Sequence, residues 1–401
     1  MRASGCSGRR LELFALAYRS TDMYRPYTSS GYNVFRLLFI LAVFCGLSSA
    51  APARPKRKPV PAKRPAPVRT QVRADVNAPI IRGGPWTEPT YADSTAGDYI
   101  DGEDLEVRRA AVEALGPYNG SVIAVDAETG RILTMVNQRV ALSSGFQPCS
   151  TVKVPVALAG LSERVIDASN KYRVNKLKVD LTYALAHSHN YYFASLGEKL
   201  GFEKVRYYAQ LFGYGEKAGL NIPGETAGHF PSAPPKNGGV GMLTSFGEEI
   251  SQTPLQLAAL LGAIANGGTL YYLQYPRNPA EAAGMMPQIK RRLDIGGVIP
   301  VITPGMRGAV EFGTAHRARE DGPIAGKTGT CSLNQTHLGW FGSFNEAGNR
   351  KIVVVVLLTG GRPAIGPQAA AIAGDVYRLL QEKRWLAFTS PFVPASIISP
   401  R

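Results

Sequence analysis

Five short apolar runs, two before residue 140 and three after residue 320, enclose a long stretch of helical pattern. Ser121–Asp126 and Arg131–Val136 are joined by Ala127-Glu128-Thr129-Gly130, a connection that predicts a β-hairpin. Far downstream, Ile324–Cys331, His337–Phe344 and the β-branched run Lys351–Leu358 predict three more strands. Between the two groups, residues 150–270 repeat apolar positions at helical spacing, broken by Gly- and Pro-rich loops such as 221–241. A helix over 104–115 ends at Gly116-Pro117, and an amphipathic helix over Ala369–Gln381 closes the pattern. Strands segregated in this way, instead of alternating with helices, predict an α+β fold. The expected architecture is an antiparallel five-stranded sheet flanked by helices, with an all-helical lobe beside it and a cleft where they meet.

Composition matters chiefly through its unevenness. The 401 residues are 45% apolar and 19% charged, which are globular values, yet the net charge is +15. Residues 1–73 hold 14 of the 45 Lys and Arg and 2 of the 30 Asp and Glu, so +12 of that charge belongs to this segment. A nucleic-acid surface needs basic residues spread over a folded face. The body offers no such excess, and a nucleic-acid partner is not expected.

The N-terminal segment has its own pattern. Leu37–Leu47 is an apolar run of 11 residues preceded by Arg25 and Arg36 and followed by Ser48-Ser49-Ala50-Ala51. A basic flank, a short apolar core and a small-residue exit predict an export signal. The run is short against the roughly 20 apolar residues of a spanning helix, although an uncleaved anchor over 34–51 is the alternative. Residues 1–50 are therefore read as export signal or membrane anchor, with 1–22, upstream of Met23, as a possible spurious extension. Residues 51–73 are Pro-rich with eight Lys or Arg, an extended spacer suited to contact with anionic lipid or cell-wall polymer. The basic Pro-rich linker is taken as 51–103 and the folded domain as 104–401. The expected setting is periplasmic or otherwise extracytoplasmic, with a tether to the cytoplasmic membrane if the apolar run is retained.

Three short motifs could carry chemistry. Ser150-Thr151-Val152-Lys153 is the only S-x-x-K in the chain. On a helix its two ends share a face, so the lysine amine could activate the serine hydroxyl if burial or another cation depresses its pKa. The same tetrapeptide could be an ordinary helix start capped by Ser150. Ser188-His189-Asn190 offers a hydroxyl and an amide two residues apart; Ser332-Leu333-Asn334 and Ser343-Phe344-Asn345 match the same pattern. Lys327-Thr328-Gly329-Thr330 lies on an expected strand, where a lysine and hydroxyls could bind a carboxylate and glycine permits close backbone approach. A P-loop reading fails because Asp321 stands where glycine is required and a strand pattern follows. The five histidines and four cysteines show no metal-ligand spacing, so neither metal nor cofactor is expected.

In the order S-x-x-K, S-x-N, K-T-G, these motifs resemble those of penicillin-binding proteins and serine β-lactamases. The likeness to the penicillin-binding transpeptidase domain covers about residues 104–385. It includes Gly120–Asn137, Phe146–Val156, the loop around Leu220–Glu225, and Ser251–Gly268 with its T-P-L-Q-x-A segment. Three departures stand out: His189 in the middle of the second motif, only 38 positions between Ser150 and Ser188, and too few residues in 74–103 for a pedestal or glycosyltransferase domain.

The resemblance implies a β-lactamase/transpeptidase-like fold and a D,D-transpeptidase that cross-links peptidoglycan stem peptides through an acyl-Ser150 intermediate. Lys153 would be the base, Ser188 a proton relay and Asn190 a substrate clamp. Lys327, Thr328, Gly329 and Thr330 would hold the terminal carboxylate, and β-lactams would act as inhibitors. A D,D-carboxypeptidase, a class A-like β-lactamase using Glu225 or Glu216, and a non-catalytic binding module are the alternatives. If the N–H groups of Ser150 and Thr330 share one oxyanion, Cys149 and Cys331 lie close enough to bridge, a pairing that resembles some carbapenem-hydrolysing class A β-lactamases. Two separate buried thiols are the other possibility.

Overall fold

The computed structural model describes residues 86–387, apart from 168, 170–178, 221 and 321. Residues 1–50, expected to be an export signal or anchor, residues 51–85 and residues 388–401 lie outside the described residues. Among those described, no helix is long and apolar enough to cross a membrane.

The expected sheet forms. β1 (Gly120–Asp126) and β2 (Ile132–Val136) make the hairpin, and β5 (Ile324–Leu333), β6 (Thr336–Asn345) and β7 (Ile352–Gly360) complete an antiparallel sheet in the order β2-β1-β7-β6-β5. β7 pairs with both distant groups, Val354 opposite Ala124 on one side and Ser343 on the other. Every residue of β7 is buried, which explains its unbroken run of Val and Leu. Side chains alternate along a strand, so Val353, Val355 and Leu357 enter one core while Ile352, Val354, Val356 and Leu358 enter a second.

The second core lies under α1 (Leu105–Leu115) and α11 (Gly366–Glu382). The first lies between the sheet and α8 (Pro254–Ala265), whose twelve residues are all buried. Thr253 caps α8 reciprocally with Gln256, and Pro254 opens its first turn. The helical lobe follows on this side: α3 (Lys153–Ser162), α4 (Leu181–Ala186), α5 (Asn190–Leu200), α6 (Phe202–Leu211) and α7 (Gly239–Phe246). α10 (Ile299–Glu311) packs on α4 and on β5, and the short helices α2 (Gln138–Ala141) and α9 (Pro279–Gly284) complete the series.

Two features depart from the sequence reading. A small second sheet pairs β3 (Thr269–Tyr271) with β4 (Ile289–Arg292). In addition, residues 86–103 belong to the body and not to the linker. Trp86 stacks on His337 with centroids 4.6 Å apart, and the Thr90 hydroxyl accepts a 2.7 Å hydrogen bond from Gly361 N. Asp98 accepts from the backbone N–H groups of Asn137 and Gln138 and pairs with Arg108 at 2.7 Å. Buried Glu103 accepts from the Thr134 hydroxyl, Met135 N and the Tyr275 hydroxyl. These carboxylates satisfy donors along β2 and the turn after it, so the segment clamps that edge of the sheet.

Candidate active site

The first motif sits where a strained turn meets a helix. Cys149 has φ +51°, a left-handed value costly for a residue with a Cβ. A 3₁₀ turn over Cys149–Val152 then runs into α3, which begins at Lys153. Neighbours hold this turn from several directions. Trp340 Nε1 donates to Gln147 O at 3.0 Å, Gln147 Nε2 donates to Phe246 O at 3.1 Å, and the Thr151 hydroxyl donates to Pro148 O at 2.8 Å. Ser150 itself stays half-buried and open to the cleft.

One turn further on, the fully buried Lys153 reaches back to Ser150. Its Nζ donates to Ser150 Oγ at 2.7 Å, to Asn190 Oδ1 at 2.8 Å and to Ser245 O at 2.5 Å. The rings of Phe193 and Phe246 stand 5.8 and 5.6 Å from the same nitrogen. Burial, and then the charge of Lys327, hold the Lys153 amine well below the ordinary lysine range. A neutral amine in this place is a proton acceptor directly on the serine hydroxyl.

The second motif is a turn, as expected from its composition. Ser188 has φ +56°, His189 caps α5 by accepting from Tyr192 N at its Nδ1, and Asn190 is the first residue of α5. Asn190 is thereby joined to Lys153 directly. Ser188 follows α4 and is half-buried, with its N–H bonded to Leu185 O.

The third motif lies on β5, at the sheet's edge. Lys327 is buried, with Nζ donating to Thr328 O at 3.0 Å, and desolvation lowers its amine to about 7. Gly329 passes so close to the turn bearing Ser150 that a Cβ there would lie 2.9 Å from Pro148 O and 3.3 Å from Cys149 Cβ. Thr330 is exposed, and its hydroxyl accepts from Gly366 N at 2.8 Å. Cys149 and Cys331 are joined by a disulfide with Cα atoms 5.6 Å apart. It ties the residue before Ser150 to the residue after Thr330.

Several contributors carried no signal in the sequence. The Ser245 carbonyl acts through its backbone, and Trp340 braces the turn from outside every motif. Thr314 lies 2.6 Å, hydroxyl to hydroxyl, from Thr328. The two carboxylates weighed as hydrolytic bases are engaged elsewhere. Glu225 is buried and accepts from the N–H groups of Ala218 and Gly219, while Glu216 pairs with Lys290 and Arg291.

A serine–lysine pair held between an antiparallel sheet and a helical lobe is the arrangement of the β-lactamase/transpeptidase-like fold. A family model described as the penicillin binding protein transpeptidase domain matches residues 120–378, and the chain belongs to that family. Stage V sporulation protein D of Bacillus subtilis is 27% identical over 310 residues, covering 66% of this chain and 48% of that protein. Peptidoglycan D,D-transpeptidase MrdA of Acinetobacter baumannii is 24% identical over 409 residues, covering 81% of this chain and 59% of that protein. The chain spans about half the length of the curated relatives it matches. In fold it is similar to Pseudomonas aeruginosa PBP2, solved in complex with WCK 5153, with a TM-score of 0.62 at 24% identity, covering 73% of this chain and 78% of that one.

Proposed function

We propose that this protein is a D,D-transpeptidase acting on peptidoglycan stem peptides. The observation that carries the reading is the buried Lys153 amine, held low in pKa and bonded at once to Ser150 Oγ and Asn190 Oδ1. Lys153 takes the Ser150 proton as Oγ attacks the penultimate D-Ala carbonyl. The N–H groups of Ser150 and Thr330 receive the oxyanion, each worth about 3 kcal/mol. The proton returns through Lys153 and Ser188 to the departing D-Ala amine. Lys327, Thr328 and Thr330 hold the terminal carboxylate, with Gly329 allowing close approach, and Asn190 orients the acyl chain. An acceptor amine then attacks the ester, forming a new amide and restoring the serine. If water attacks, the same site is a D,D-carboxypeptidase.

The disulfide beside the nucleophile is the one feature that favours a β-lactamase. Against it stand Glu216 and Glu225, whose oxygens are taken up by cations and backbone donors instead of a deacylating water. β-Lactams are accordingly read as inhibitors. The substrate class places the body outside the cytoplasm, with residues 1–50 exporting or tethering it and the basic stretch 51–73 meeting anionic lipid or wall polymer.

The test is incubation of the purified protein with benzylpenicillin, followed by intact mass over hours. A persistent adduct that is lost in Ser150→Ala is expected. Release within seconds would indicate a β-lactamase, and no adduct at all a binding module.

A further inference from the structure

The rim of the cleft carries an aromatic stack that no step above uses. Tyr183 and His187 on and after α4 have ring centroids 4.3 Å apart, and His187 and Phe312, which follows α10, have centroids 5.9 Å apart. Tyr183 is 49% and Phe312 56% exposed, so large parts of both rings meet solvent. The stack is built into the site's frame. His187 immediately precedes Ser188. Phe312 is followed by Gly313, where a Cβ would lie 2.2 Å from Ala186 O, and by Thr314, whose N–H donates to that same carbonyl and whose hydroxyl meets Thr328.

Its position along the cleft decides what it can bind. Thr330 neighbours the cysteine bridge and the nucleophile, whereas Thr328 lies two residues back along β5, about 7 Å from it. The aromatic rim adjoins Thr328, beyond the place where the departing D-Ala carboxylate would sit. Aminolysis of the acyl-enzyme is chemically the reverse of acylation by a D-Ala peptide. The attacking amine therefore takes the place of the D-Ala nitrogen, and the rest of the acceptor lies over the vacated carboxylate site and outward from it.

We propose that Tyr183, His187 and Phe312 form the acceptor subsite, packing on the aliphatic chain of a second stem peptide whose side-chain primary amine reaches the acyl carbon on Ser150. Ring faces pack on methylenes. The arriving ammonium gives one proton to solvent, and its nitrogen attacks the acyl carbon. The C–N bond forms, the C–Oγ bond breaks, and the second amine proton reaches Ser150 Oγ through Lys153. This assignment rests on the transpeptidase reading and adds the acceptor's chemistry to it.

The experiment uses a diacetyl-lysyl-D-Ala-D-Ala donor with Nα-acetyl-lysine as acceptor and measures amide product against hydrolysed product at one pH. Phe312→Ala and Tyr183→Ala should each lower the aminolysis-to-hydrolysis ratio about 3-fold, close to the contribution of one buried methylene. D-Ala release without acceptor and benzylpenicillin acylation should stay unchanged. Phe312→Leu keeps apolar bulk without a π face and should fall between parent and alanine variant, while Phe312→Tyr should retain the parent ratio. An unchanged ratio in both alanine variants would overturn the subsite. So would a parent enzyme that acylates normally but only hydrolyses. A parent that never acylates would instead sink the transpeptidase reading itself.

Discussion

Lys153 and Lys327 are both fully buried, and the charge of the second helps keep the amine of the first low. Burial is the larger cause and Lys327 the added one. Acylation by benzylpenicillin should therefore rise with pH through an acid limb set well below the ordinary lysine range. Lys327→Gln removes the repelling charge and should move that limb to higher pH, besides weakening capture of carboxylate-bearing ligands. A limb that stays in place, measured by stopped-flow acylation across pH, would mean that burial alone tunes Lys153.

Lys327 should also make stability depend on pH. Its folded pKa of about 7 lies below the ordinary 10.5, so the folded state binds fewer protons than the unfolded chain. The destabilisation is then full below pH 7 and relieved as pH rises toward 10.5. Thermal unfolding between pH 7 and 9 should show the parent gaining stability relative to Lys327→Met, the gap closing with rising pH.

Replacing Lys153 by methionine keeps the bulk of the side chain between Phe193 and Phe246 while removing the proton acceptor. Acylation should fall by about 10²–10⁴, the usual weight of a positioned base. Near-parent circular dichroism with a near-parent acylation rate would assign the base elsewhere.

Gly329→Ala brings a methyl group within 2.9 Å of Pro148 O. Overpacking of this kind costs about 1–3 kcal/mol, and here the strain falls between β5 and the nucleophile's turn. Acylation should drop at least tenfold, as followed by adduct formation, with a small loss of Tm.

The Cys149–Cys331 bridge closes a loop with a sequence separation of 182 residues. Its removal in Cys149→Ser/Cys331→Ser should cost about 2–5 kcal/mol in urea unfolding. Reductant should reproduce that loss in the parent and leave the double variant unaffected.

The sheet and the three motifs were legible because their chemistry sets their spacing. A base must sit one helical turn from its serine, and a carboxylate site on a strand needs small residues and hydroxyls. Residues 86–103 were misread as linker because a short polar stretch with Asp and Thr and no apolar periodicity looks the same whether the chain is loose or clamped. Only the distant backbone donors that Asp98 and Glu103 reach distinguish the two. β3 and β4, of three and four residues, are too short for alternation to register. Thr314 and the Ser245 carbonyl enter the site through tertiary packing, which no local pattern announces.

β5 ends the sheet, with a hydrogen-bonded neighbour on β6 alone. An open strand edge invites pairing with other chains, and a substrate entering this cleft meets that edge. The covalent link from Cys331 to Cys149 keeps a turn fastened over it, leaving a slot instead of a bare margin. The turn that bears Ser150 and the strand at the sheet's margin are thus fixed by one covalent link, and a change that breaks it would loosen both together.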